Sequence, residues 1–223
     1  MEMPLIGLGS SRISNIVEVV SNSIKDGLRL IDIAFYYKNE EEVGKGIKVA
    51  LDNGYCKRED LFVIGKLWIE HKDDPEKAIK DTLQKLGLDY LDMYLDHWPS
   101  GNNYTKEGVV KRVSVFESWP KMEALVDKQL TKSIGCSNYN VQSLFNLLSF
   151  CRIKPVANEI ERDVACESQD RNWAHERGCR SSCKKGCGVS GNQRGDRGEW
   201  GRHIRPGGIG HGYIGLCRTV SAV

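Results

Sequence analysis

No stretch of this chain approaches the ~18 consecutive apolar residues that a membrane span requires. The opening Met1-Glu2-Met3-Pro4 has neither the basic nor the apolar region of a signal peptide. No membrane partner is expected, and a cytoplasmic location follows. The chain also lacks a Gly-x-Gly-x-x-Gly run opening a helix: Gly7-Leu8-Gly9 is a fragment of one at most, which disfavours dinucleotide binding by a Rossmann unit. No Cys-x-x-Cys pairs bracket a metal site, so with a cytoplasmic location expected the eight cysteines are read as reduced thiols. No charge of one sign dominates either. The formal net charge is +2, but residues 1–161 hold 21 Lys and Arg against 24 Asp and Glu, and residues 162–223 hold 11 against 6.

What the sequence does have, through about residue 178, is an alternation of short apolar runs and amphipathic stretches with brief connections. This is the pattern of a parallel sheet wrapped by helices. Strands are expected near residues 4–8, 28–33, 61–65, 90–96, 132–136 and 155–160. Helices are expected over 14–25, 40–51, 76–86, 115–130 and 141–150, with Asn53-Gly54 and Gly87 as stops and Pro75 as a start. A sixth helix is expected over 169–178. Beyond it the pattern ends: residues 162–223 hold twelve of the 23 glycines and five of the eight cysteines, with no seventh or eighth strand of ordinary composition.

Four residues stand at or just beyond strand ends: Asp32, Tyr37, Lys66 and His97. The ends of barrel strands lie side by side at one face, so residues far apart in sequence form one site there. Each has a plain structural reading alone: a turn acid, a packed ring, a snorkelling lysine beside Trp68 and a strand cap before Trp98-Pro99. Four in order on alternating elements point to chemistry.

The segments around these residues resemble the aldo-keto reductase family. Met3-Pro4-Leu5-Ile6-Gly7-Leu8-Gly9 is similar to its first strand, Ser133-Ile134-Gly135-Cys136-Ser137-Asn138 to its fifth and Lys154 to Glu161 to its sixth; the resemblance covers about residues 3–161. It implies a (β/α)8 TIM barrel, here incomplete with about six strands. It also implies an NADPH-dependent oxidoreductase, NADH being possible, that reduces a small aldehyde or ketone to an alcohol. Tyr37 is then the proton donor, Lys66 lowers its pKa, Asp32 holds Lys66, and His97 orients the carbonyl. Ser137, Asn138 and Glu159 match the positions that hold the nicotinamide carboxamide, with Glu159 in place of the usual Gln; a carboxylate accepts from the amide nitrogen and donates nothing to its oxygen. Trp68 and Trp98 are the substrate walls. The alternative is a non-catalytic, cofactor-binding member of the fold.

The departures are as specific as the matches. Gly9 is followed by Ser10-Ser11 where the family has a pocket aromatic, Asp96 stands in a usually apolar position, and no basic segment matches the one that grips the cofactor phosphates. The domain reading is a partial barrel over 1–178 and a Gly/Arg/Cys-rich tail over 179–223, disordered or out of frame. Codons for residues 201–211, read one base later, permit an ordinary mixed segment, so a frameshifted or truncated C-terminal part is expected. His175, Cys179, Cys183 and Cys187 lack zinc-ribbon spacing, and the Arg/Gly run from Gly191 to Gly208 has almost no interleaved aromatics. Neither a metal nor a nucleic-acid partner is expected. The oligomeric state is left open.

Overall fold

The computed structural model describes residues 2–100, 102–104 and 110–160. In chain order the elements are β1 (Leu8–Gly9), α1 (Ile16–Lys25), β2 (Leu30–Asp32), α2 (Glu40–Asp52), β3 (Phe62–Leu67), α3 (Pro75–Leu86), β4 (Met93–Asp96), β5 (Asn102–Tyr104), β6 (Val110–Arg112), α4 (Val115–Asp127), β7 (Ile134–Ser137), α5 (Val141–Leu148) and β8 (Asn158–Glu159). Six strands form one parallel sheet in the order β1-β2-β3-β4-β7-β8, and β5 and β6 make a separate antiparallel pair. Every sheet strand lies beside its predecessor in this order, with helices in the connections, which is the layout of a (β/α) barrel wall. No described helix is long and apolar enough to cross a membrane.

Local chemistry accounts for the boundaries. Asp74 caps α3 by accepting from the Lys77 N–H, Pro75 occupies the first turn, and Gly87 ends the helix at φ 67°. In α4, Pro120 deprives the Phe116 carbonyl of its usual partner four residues on, yet the helix continues. The first strand is shorter than residues 4–8 suggest: pairing starts at Leu8, and Leu5 and Ile6 are exposed. The β5–β6 hairpin was not expected. The sixth helix, the division at 178/179, and the His175, Cys179, Cys183 and Cys187 spacing lie outside the described residues.

Strand alternation sorts side chains between two faces. One face meets the helices, where Ile31, Val63, Tyr94, Ile134 and Cys136 pack with Val20, Ile24, Val43, Ile47, Ile79, Leu83, Trp119 and Met122. Each such apolar side chain contributes roughly 1.5–3 kcal/mol when fully buried. The opposite face carries Leu30, Phe62, Ile64, Met93, Leu95 and Ala157. Counting on by two from these places Asp32, Lys66, His97 and Glu159 on that second face, all at the C-terminal ends of their strands. Asp96, one residue out of step with Leu95, falls on the helix side.

Candidate active site

Lys66, next to last in β3, has its side chain fully buried, held between carboxylates from two other strands. Its ammonium lies 2.6 Å from Asp32 Oδ1 and donates to Oδ2 at 2.7 Å; it stands 2.9 Å from Glu159 Oε1. Tyr37 reaches the same ammonium from the 3-10 turn Phe35–Tyr37, its hydroxyl accepting at a longer 3.4 Å. Parallel register sets this up: Asp32 lies opposite Ile64, one inward position before Lys66, and Lys66 opposite Leu95, one inward position before His97, so the strands deliver their last inward residues in regular steps at the same end of the sheet.

His97 follows β4 and is pinned by its backbone. Its N–H donates to the Leu67 carbonyl at 3.1 Å, and its carbonyl accepts from the Asn138 side-chain amide at 3.0 Å. The imidazole lies edge-on to Tyr37 (6.1 Å between centroids) and to Trp68 (5.2 Å), and its buried Nδ1 has no hydrogen-bond partner among the described residues. Trp98 stands half-exposed beside it. Tyr36, which sequence reasoning passed over, stacks on Trp68 at 4.3 Å and extends that wall outward. The adjacent aromatics Phe35-Tyr36-Tyr37 were the signal available for it.

The protonation states follow from burial and neighbours. Burial and the Lys66 charge hold His97 down, to about 3, so the ring is neutral at ordinary pH. Burial opposes the Lys66 charge, but Asp32 and Glu159 outweigh it and keep the ammonium protonated. Burial pushes Asp32 up to about 7; Lys66 pulls it down and Glu159 pushes it further up. The sequence predicts that Lys66 acidifies Tyr37. Lys66 does pull in that direction, but burial together with Asp32 and Glu159 leaves the phenol above its usual value.

Ser137 ends β7 beside Glu159, and Asn138 follows it. The Ser137 hydroxyl donates to the Glu159 carbonyl at 3.0 Å and accepts from the Asn138 amide at 3.0 Å, while the Asn138 N–H donates to the Glu159 carbonyl at 2.9 Å. The site donors here are engaged in fixing strand ends. The Asn138 side-chain oxygen and the Glu159 carboxylate are acceptors of the kind a carboxamide N–H2 needs.

Asp96 points away from this cluster. It accepts from Lys72 Nζ at 2.8 Å and from the Tyr139 hydroxyl at 2.7 Å, and Lys72 also donates to the Trp98 carbonyl at 2.6 Å. The carboxylate in a usually apolar position is therefore paired, and the pair brackets His97 from both sides in sequence.

The model of the aldo/keto reductase family matches residues 6–191. This chain belongs to that family. The match runs past residue 161, where the sequence resemblance ends. Among relatives, aldose reductase B of Dictyostelium discoideum is 40% identical over 178 residues, covering 71% of this chain and 57% of the relative. The NADH-dependent D-xylose reductase of Candida parapsilosis is 39% identical over 179 residues, covering 72% and 55%. Among solved structures, the Bombyx mori aldo-keto reductase in complex with NADP superposes with a TM-score of 0.67 at 38% identity, covering 72% of this chain and 55% of that one. Aldose reductase from Giardia lamblia gives 0.68 at 32% identity, covering 73% and 59%. The chain thus spans a little over half the length of these aldo/keto reductases.

Proposed function

We propose that this chain carries the reducing site of an NADPH-dependent oxidoreductase, with NADH as a possible substitute, acting on a small aldehyde or ketone. The observation that supports it best is the cluster of Asp32, Tyr37, Lys66 and His97, four protic side chains from separate elements converging at one end of the sheet. Relatives named as NAD(P)H-dependent D-xylose reductase and NADPH-dependent aldose reductase support the reaction class. The nicotinamide cofactor supplies the hydride when bound.

The chain's own groups do the rest. A neutral His97 donates a hydrogen bond to the substrate carbonyl and sets its orientation. As negative charge grows on that oxygen, Tyr37 transfers its hydroxyl proton to it, and the Lys66 ammonium stabilises the phenolate left behind. Asp32 keeps Lys66 in place and charged. Trp68 and Trp98, with Tyr36 extending the wall, flank the carbonyl and exclude water. Ser137, Asn138 and Glu159 stand where the carboxamide binds.

A second reading, a cofactor-binding member without turnover, draws on the raised phenol pKa and the long 3.4 Å contact of Lys66 with Tyr37. Purified intact chain, given NADPH and a panel of aldehydes, separates the two. The enzyme reading expects cofactor oxidation that Tyr37→Phe lowers by about 10²–10⁴-fold while NADPH binding is retained. Binding with no aldehyde-dependent oxidation supports the second reading. Turnover retained in Tyr37→Phe removes that residue from its role.

A further inference from the structure

Lys66 is one cation shared by two carboxylates, at 2.6 Å from Asp32 and 2.9 Å from Glu159. The groups facing it are Asp32 from β2, Tyr37 from the turn after β2, Glu159 from β8 and, past Tyr37, the neutral His97 at the end of β4. With both carboxylates ionised, the cluster carries a single excess negative charge. A glutamine in place of Glu159 leaves it balanced. The Glu159 side chain is about three-quarters buried, at 26% exposure, so water screens that charge only in part.

The two redox forms of a nicotinamide differ in charge at the ring: the reduced ring is neutral and the oxidised ring is a cation. Hydride delivery to a carbonyl held by Tyr37 requires the ring to touch that carbonyl. A bound ring would therefore have to stand close to Tyr37, whose hydroxyl is 3.4 Å from the Lys66 ammonium. We propose that Glu159 is a specificity-determining residue that makes this site favour the oxidised, cationic nicotinamide over the reduced one. The inference rests on the reductase reading above and adds to it the redox form the site selects. A unit charge at ~7 Å in an effective dielectric near 20 changes affinity on the order of ten- to fifty-fold. A tenfold preference lowers the potential of a bound two-electron couple by about 30 mV, making the bound reduced cofactor a stronger hydride donor.

The test uses intrinsic Trp fluorescence of the intact chain titrated separately with NADP⁺ and NADPH near pH 8, for the wild type and for Glu159→Gln. The expected result is tighter binding of NADP⁺ by the wild type, with the ratio of the two dissociation constants falling about tenfold or more in the variant. Both forms binding with an unchanged ratio overturns this inference and leaves the reductase reading standing. Neither form binding the wild type overturns both. A second variant keeps the test decisive where Glu159→Gln fails to fold: Glu159→Ala also removes the charge and is expected to lower the ratio in the same direction, and a ratio unchanged in it overturns the inference.

Discussion

At the scale of single residues, Lys72 is the most exacting group in the molecule outside the reducing site. Its side chain is fully buried, and its charge is answered by a carboxylate that is itself 1% exposed. Taking one member of such a pair away strands the other in a low-dielectric interior. Lys72→Met is therefore expected to lower unfolding free energy by about 3–5 kcal/mol, whereas Lys72→Met with Asp96→Leu recovers most of the loss. Urea denaturation of the three proteins measures this; a double variant no better than the single one shows that the network's geometry, not its charge balance, is what matters. Nearby, Cys136 is pushed up to about 12 by burial and then by the Asp96 charge, which leaves it a protonated, packed thiol. The sequence marked Asp96 as out of place but could not supply its partners, since Lys72 sits in a polar connection and Tyr139 before another helix. Asp32, Tyr37, Lys66 and His97 were legible because each follows an apolar run. The bond from Glu159 to Lys66 was not, because it depends on how β3, β4, β7 and β8 are registered on one another.

At the scale of elements, α2 illustrates what periodicity conveys and what it conceals. The apolar spacing of Val43, Ile47 and Ala50 makes the helix visible in sequence. Gly44 and Gly46 look like weaknesses in it until the packing is known. A Cβ on Gly44 would meet the backbone of Leu86 at 2.7 Å, and one on Gly46 would meet the Val17 carbonyl and Val20 Cβ at 2.8 Å. These glycines let α2 sit close to α3 on one side and to α1 on the other. Gly44→Ala gains up to ~1 kcal/mol in helix propensity, yet overpacking against an immovable backbone typically costs about 1–3 kcal/mol. The expected net effect is a lower melting temperature, and an unchanged or higher one means that α3 shifts freely. Helices and central strands were legible for the same reason that α2 was. The hairpin of β5 and β6 was not, because Asn102-Asn103-Tyr104 and Val110-Lys111-Arg112 carry no apolar alternation. The first strand was placed too early because Leu5 and Ile6 read as core residues though both are exposed.

At the scale of the whole molecule, β1 and β8 each pair on one side only among the described residues, and each has just two paired residues. Exposed Leu5 and Ile6 precede one edge, and half-exposed Val156 and Ile160 flank the other. Hydrogen exchange should be slowest in Phe62–Leu67 and Met93–Asp96 and fastest at Leu8–Gly9 and Asn158–Glu159. Equal protection at the edges, measured on the intact chain, would show that further chain covers them. The strand order has another consequence, for synthesis. Partners in the sheet are never far apart along the chain: Leu8 with Ile31, Leu30 with Phe62, Ile64 with Met93, Tyr94 with Ile134 and Cys136 with Asn158 are separated by 23, 32, 29, 40 and 22 residues. Each strand finds its neighbour already made, so the wall can be laid down in one direction as the polypeptide leaves the ribosome. Among the described strands, no early one waits for a late one before it can pair.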